Sequence, residues 1–339
     1  MTKNWAVTEA DLPQLIRVSI GSAIVLGLLE GKLDAAPTTI YLMTHKVGKC
    51  TANCRFCPQA RNSKSKAELL SRVSWPAFPT IGILEKLKRI VEKGKIMRVC
   101  IQALNYSDVI VHLEALVKQI KQHTAIPISV SCQPLTSKNI RCLAMAGAER
   151  IGIALDAATE KLFTEIKGKG AGGPYTWKSQ FSQLREAAKI FGKGKVSTHL
   201  IVGLGETEKE ALSVIQRCVD MDVYPALFAF TPVSGTILEK KTQPNIRLYR
   251  RIQLARYLIV NKHSRYEDMF FDDTGRLIEY GIRKEDINWI IESGKPFLTS
   301  GCPNCNRPFY NEKPSGPIYN YPRRLYHEET ELIKKQLGL

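Results

Sequence analysis

The chain has 339 residues, 44% of them hydrophobic and 24% charged, and a formal net charge of +17. That length buries a full core, as one large α/β barrel or two modest domains, and the ordinary composition excludes a disordered or collagen-like chain. The longest apolar stretch, about Ile20 to Leu29, is too short for a bilayer and is broken by Gly21, Ser22 and Gly27. The opening MTKNWAVTEADLPQL lacks the basic-then-apolar pattern of a signal peptide, so the expectation is a cytoplasmic protein with no membrane partner.

In chain order, Thr8-Glu9-Ala10-Asp11 reads as an acidic helix start, and the apolar positions from Leu12 to Leu29 keep a helical period. Residues 1–36 are therefore expected to form an N-terminal helical cap. Strands are predicted at 39–44, 97–103, 127–132, 150–155, 196–203 and 226–232, with helices near 80–94, 106–123, 136–147, 176–192, 207–221 and 245–262. Six such βα units with strands buried on both faces imply a parallel sheet and a TIM-type (βα) barrel, complete or partial, over residues 37–265. After about residue 266 the rhythm breaks. DMFFDDTGRLIEYGI predicts a strand or hairpin, and DINWIIES a short helix. The tail GCPNCNRPFYNEKPSGPIYNYPRRL has no helical period but is too aromatic for a disordered segment. Residues 266–339 thus read as a C-terminal extension, irregular and ordered, that covers the barrel mouth.

The basic runs at 86–98 and 240–251 fall on helical patterns and read as lysine-rich solvated faces. No RNA-binding signature accompanies them, so no nucleic-acid partner is expected. An acidic protein partner fits the charge through electrostatic steering.

The nine cysteines are not expected to form structural disulfides, since a reducing cytosol keeps thiols free. Three lie within eight residues, in Lys49-Cys50-Thr51-Ala52-Asn53-Cys54-Arg55-Phe56-Cys57-Pro58, a C-x3-C-x2-C loop after the first barrel strand. Three thiolates on a 4Fe–4S cubane leave one iron open to a chelating small molecule. A zinc knuckle is the plainer alternative, but structural zinc needs four closed ligands, and no histidine or cysteine follows soon after Cys57. His45 reads as a loop or supporting residue. Cys100 lies in the second strand and Cys132 ends the third, and chemistry in barrels sits at the carboxyl ends of strands. Cys142 and Cys218 fall on apolar helix faces and read as small buried hydrophobes.

The C-x3-C-x2-C loop, with Phe56 before its third cysteine, resembles the radical-SAM signature. That resemblance implies a 4Fe–4S cluster on Cys50, Cys54 and Cys57. Its open iron would bind S-adenosylmethionine, which is cleaved to a 5′-deoxyadenosyl radical. Leu200-Ile201-Val202-Gly203-Leu204-Gly205-Glu206 resembles the family's fifth-strand G-x-I-x-G-x-x-E segment beside the adenine, departing from it at His199. The cofactor contacts implied are Phe56, Asp156, Ile201, Gly203 and Glu206. Asp156 is similar to the ribose-holding carboxylate of biotin synthase, with a helix N-cap as its structural alternative. Cys57-Pro58-Gln59-Ala60-Arg61 is also close to biotin synthase. Cys100 and Cys132 fall where that family holds its second, sulfur-donating cluster, but its third such cysteine is Ser197 here. Cys302 and Cys305 would complete four thiolates for an auxiliary 4Fe–4S cluster. A zinc half-site or a plain turn is the alternative for that pair.

Tail and cysteine set together are similar to one component of the archaeal two-component lipoyl synthases. This implies a sulfurtransferase inserting sulfur into an octanoyl chain borne by a lipoyl-carrier protein or domain. It would act with a second radical-SAM component and an electron donor such as ferredoxin. Arg307 and Tyr310 are then candidates for organising the mouth. A variant biotin synthase acting on free dethiobiotin is the nearer rival, and a zinc-dependent nucleic-acid-binding protein the more distant one.

Overall fold

The computed structural model describes residues 11–133 and 136–339. It begins with β1 (Leu15–Val18), α1 (Ile20–Val25) and β2 (Thr39–Thr44), then the small strands β3 (Leu69–Leu70), β4 (Val73–Ser74) and β5 (Ala77–Pro79). The repeating part follows as α2 (Thr80–Glu92), β6 (Arg98–Gln102), α3 (Val109–His123), β7 (Ile128–Cys132), α4 (Ser137–Ala146), β8 (Arg150–Ile153), α5 (Glu160–Ile166), α6 (Trp177–Phe191), β9 (Val196–Val202), α7 (Glu208–Asp220), β10 (Val223–Ala229) and α8 (Ile246–Val260). The extension adds the hairpin β11 (Phe270–Phe271) and β12 (Leu277–Glu279), then α9 (Lys284–Glu292) and α10 (His327–Leu337).

Eight strands form one sheet in the order β10-β9-β8-β7-β6-β2-β1-β5. From β2 to β10 all neighbours are parallel, whereas β1 pairs antiparallel with both β2 and β5. This is a TIM-type barrel left open between β10 and the β1/β5 edge. Strand alternation splits the side chains into two sets. Ile40, Leu42, Val99, Ile101, Ile128, Val130, Ile151 and Ile153 are almost completely buried and form the core with the helices. The other face lines the lumen in layers. Tyr41, Cys100, Ser129 and Arg150 are in register across β2, β6, β7 and β8; above them lie Met43, Gln102, Ser131, Gly152 and Ser197.

The first element differs from expectation. Leu15–Val18 is a strand, with Ile16 and Val18 fully buried, and only a six-residue helix follows. The alternation of a β-branched strand and one short helical turn together mimic a single helical period, and β2 needs a partner on its open side. Gly27, at φ +65, lies just beyond the short helix. Thr8 to Ala10 lie outside the described residues. The last strand starts three residues early because Pro225 sits within it, in an edge strand where a missing N–H costs no ladder bond.

The tail is a side wall rather than a lid over the mouth. It runs along the free edge of β10, where Ser300 Oγ accepts from Leu227 N–H at 2.7 Å and Arg307 donates to Leu227 C=O. On the far side, Thr38 N–H donates to Asn306 Oδ1 at 3.0 Å, and Arg72 donates to the carbonyls of Phe309 and Glu312 at 3.0 and 2.7 Å. The physical reason is the open seam itself, since unpaired edge groups must be satisfied. Helix α10, invisible as a period within the irregular tail, starts at a capping carboxylate: Glu329 accepts from Tyr326 N–H at 2.7 Å. No described helix is long and apolar enough to cross a membrane.

Candidate active site

A cavity of about 610 Å³ fills the lumen, and Cys50, Cys54, Cys57, Cys100, Cys132, Cys302 and Cys305 all line it. None of them is in a disulfide. Cys142 and Cys218 stand outside it, Cys218 fully buried on α7 and Cys142 half-buried on α4.

The first cysteine loop leaves β2 and folds back on itself. Cys50 N–H donates to Gln59 C=O at 3.0 Å, and Lys49 Nζ donates to the carbonyls of Pro58 and Ser65 at 2.8 and 2.6 Å. Backbone N–H of Asn105 points at Cys50 Sγ from 3.1 Å. The outer side of the loop is pinned to the segment after α5. Arg55 N–H donates to Ile166 C=O at 2.9 Å, Asn53 Nδ2 to Ala171 C=O at 2.7 Å, and Arg55 Nη2 to Gly170 C=O at 2.8 Å. Arg61 reaches Gly172 C=O at 3.2 Å. That segment has to be glycine-rich, because a Cβ on Gly173 would lie 2.0 Å from Lys167 C=O.

Burial pushes the Cys54 thiol well above its ordinary range, and the positive charge of Lys167 is the largest opposing influence. Burial likewise pushes Cys57 up to about 12, with Cys50 adding to it. Neutral thiols at such a density suit replacement of their protons by metal, which removes the charge penalty. Among the described residues, no three His, Cys, Asp or Glu side chains converge tightly enough for a single metal ion. A cubane spreads its thiolates over separate irons, so the three-cysteine loop suits a 4Fe–4S cluster better than one zinc ion.

The second cysteine group lies lower in the lumen, on the Tyr41, Cys100 and Ser129 layer. Tyr41 Oη is 3.2 Å from Cys305 Sγ, Ser129 Oγ is 3.3 Å from Cys302 Sγ, and Gln102 Nε2 donates to Cys100 Sγ at 3.1 Å. Burial first, then Cys302 and Cys305, push the Cys100 thiol up, so these three feel one another directly. Cys132 does not join them. In the register its partner is Ile153, and it shares the face of Ile128 and Val130 rather than that of Ser129 and Ser131. Its thiol is pushed up to about 12 by burial alone. Of the four expected thiols, three are therefore in mutual contact, whereas Cys132, which also lines the cavity, is one residue out of phase with the Cys100 and Ser129 layer.

Of the other expected contacts, Phe56, Asp156 and Ile201 line the cavity, while Gly203 and Glu206 do not. Glu206 turns back on its own loop, accepting from the N–H groups of Gly203, Leu204 and Gly205 at 2.5, 3.1 and 3.1 Å. Gly203 adopts φ +105, with the Pro244 ring where a Cβ would go. Both shape the turn after β9.

Asp156 is not a helix N-cap: Thr159 caps α5, its Oγ1 accepting from Leu162 N–H at 3.2 Å. Asp156 instead adopts φ +67 at the end of β8, bridged to β9 through His199 C=O and Ile201 N–H at 2.7 and 2.8 Å. Its Oδ2 accepts from the buried Lys167 Nζ at 2.7 Å. Neither Lys167 nor Asn105 stands out in the sequence, although four glycines within 168–173 are a visible sign of close packing.

An aromatic cluster lies within reach of both cysteine groups, since Cys57 and Cys100 both act on Tyr310. His199 lies 4.8 Å from Phe228, Tyr310 meets Phe228 edge-on at 5.6 Å, and the Arg307 guanidinium covers Phe228 at 3.8 Å. Burial lowers His199 to about 4, with Arg307 and Lys167 adding to that and Asp156 opposing it. His45, half-buried and off the cavity, is lowered by burial and Arg17.

Comparison with known proteins agrees with this geometry. Residues 46–218 match the model of the radical SAM superfamily. Biotin synthase of Clostridium acetobutylicum is 25% identical over 229 residues, 65% of each chain, and that of Buchnera aphidicola subsp. Acyrthosiphon pisum (strain APS) is 22% identical over 277 residues, 78% of this chain and 75% of that one. The chain thus spans slightly less than two thirds of the length of the first of these relatives. Methylornithine synthase superposes with a TM-score of 0.52 at 12% identity, over 76% of this chain and 74% of that one. The FeFe-hydrogenase maturase HydG from Carboxydothermus hydrogenoformans superposes at 0.51 and 15%, over 71% and 55%. These two establish the fold alone. The family match covers just over half the chain and includes the loop that carries Cys50, Cys54 and Cys57, so the chain belongs to the radical SAM superfamily of enzymes.

Proposed function

We propose that this enzyme inserts sulfur into an unactivated C–H of an octanoyl chain carried on a lipoyl-carrier protein or domain, together with a second radical-SAM component and an electron donor such as ferredoxin. The observation that supports it is the presence of two separate cysteine groups in one lumen, Cys50, Cys54 and Cys57 above and Cys100, Cys302 and Cys305 below. When bound, S-adenosylmethionine on the upper 4Fe–4S cluster supplies hydrogen abstraction from an unactivated carbon, and an auxiliary 4Fe–4S cluster supplies sulfur.

The chain's own residues do the holding. The upper thiols would carry the first cluster, and Asp156 would accept the ribose hydroxyls. The lower thiols would carry the auxiliary cluster, with Gln102, Ser129 and Tyr41 as hydrogen-bonding neighbours of their sulfurs. Met43, Leu70, Val73, Trp75 and Phe309 give the cavity an apolar side that suits an acyl chain and keeps water from it. The similarity to biotin synthases supports sulfur insertion as the reaction class.

The test is anaerobic reconstitution followed by metal analysis and an octanoyl-peptide assay, alone and with the second component. About eight irons per chain are expected for two 4Fe–4S clusters. One zinc in place of the lower cluster would remove the sulfur donor. Sulfur transfer to dethiobiotin but not to the octanoyl peptide would replace the lipoyl reading with the biotin one.

A further inference from the structure

Lys167 is 0% exposed, although an ammonium is among the groups least often buried. Its surroundings account for its donors. Nζ donates to Asp156 Oδ2 at 2.7 Å and to the carbonyl of Ala154, and it faces the rings of Phe163 and Tyr175 at 5.8 and 5.4 Å. It does not line the cavity, so whatever it does there passes through Asp156. Asp156 does line the cavity, and its Oδ1 has no hydrogen-bond partner among the described residues. The carboxylate is therefore held by one oxygen and open at the other.

The position of Lys167 along the chain matters as much as its charge. It ends α5 and begins the glycine-rich segment on which the first cysteine loop rests through Arg55, Asn53 and Arg61. Its side chain points at Asp156 while the neighbouring backbone supports the Cys54 loop. One residue thus ties together the place that would hold the amino-acid end of S-adenosylmethionine and the carboxylate facing its ribose. Asp156 keeps a left-handed backbone, at φ +67, a conformation that its surroundings impose on a non-glycine residue.

We propose that Lys167 is a positioning residue for S-adenosylmethionine: it orients the Asp156 carboxylate toward the ribose hydroxyls and fixes its distance from the cysteine loop. This rests on the reading of Asp156 as the ribose contact. The role is specific to a ligand with two separated ends, and L-methionine, which has the chelating amino and carboxylate groups but no ribose, is the discriminating probe.

The experiment measures iron content and equilibrium binding of S-adenosylmethionine and of L-methionine in the reconstituted wild type, Lys167→Met, Lys167→Gln, Asp156→Asn and the Asp156→Asn/Lys167→Met double variant. The expected result for Lys167→Met and Lys167→Gln is full iron, unchanged methionine binding and S-adenosylmethionine binding weakened about tenfold, as for a misdirected hydrogen bond to a charged group. The double variant should bind no more weakly than Asp156→Asn alone, because both changes remove one coupled unit. Unchanged S-adenosylmethionine affinity in both Lys167 variants, with Asp156→Asn weakened, would overturn the positioning role. Additive losses in the double variant would do the same. Loss of iron and of both ligands together in both variants would reduce Lys167 to a structural brace. Unchanged affinity in Asp156→Asn would instead overturn the ribose reading itself.

Discussion

Cys100 and Cys132 look equivalent in the sequence, each on one of the two barrel strands that follow the first cysteine loop. Strand phase separates them: Cys100 shares a layer with Tyr41 and Ser129, whereas Cys132, though it also lines the cavity, is out of phase with that layer. The reconstituted Cys100→Ala variant should lose about four irons per chain, and Cys132→Ala should retain them, as read by metal analysis. A loss of iron in Cys132→Ala would return it to the ligand set.

His199 carries a second residue-scale prediction. Its value of about 4 lies below the ordinary 6.5, so between those pH values the unfolded chain binds more protons than the folded one. Its contribution to stability is complete above about pH 6.5 and is lost as pH falls towards 4. In the iron-free protein, His199→Gln should flatten the fall in urea midpoint between pH 7 and pH 5. An unchanged slope would place the acid sensitivity in other groups.

At the scale of elements, the segment after α5 controls the site without entering it. Gly173 cannot accept a side chain, since its Cβ would overlap the Lys167 carbonyl at 2.0 Å. Gly173→Ala should destabilise the fold by roughly 1–3 kcal/mol, the usual cost of overpacking, and should also impair iron loading on the Cys50 loop. Urea denaturation and iron analysis would check the pair of effects. Gly192→Ala is the contrasting control: its φ is +86, but nothing lies within 4 Å of its Cβ, so backbone strain alone should act and iron loading should be kept.

The strands and helices between 37 and 265 were largely legible because buried parallel strands are continuous apolar runs and their helices are strongly periodic. The strand at the N-terminus is not legible because a strand and a helical turn can share one apolar spacing. Helix α10 is not legible because irregular tail sequence precedes it.

On the scale of the whole molecule, the net charge of +17 is expected to act in association rather than in folding. If the proposed octanoyl-carrier protein is the substrate and is acidic, kcat/KM with it should fall as ionic strength rises, since surface charges are screened beyond about 8–10 Å at physiological salt. With a short neutral octanoyl peptide it should stay nearly constant. Equal salt dependence for both substrates would remove the steering argument. The tail is the other molecule-wide device, closing an open barrel while delivering Cys302 and Cys305 to its lower layer.

By itself, the sequence determined the family, the order of βα units and the first cysteine group, because each depends on local spacing: three thiols within eight residues, and apolar runs of fixed length. Tertiary structure decided which distant cysteines meet, which face Cys132 takes, and that Glu206 serves its own turn. It also revealed Lys167 behind Asp156. Those outcomes depend on strand register and on where a long tail crosses the sheet edge, and a shift of one residue in register is invisible in composition yet reverses every side chain it touches.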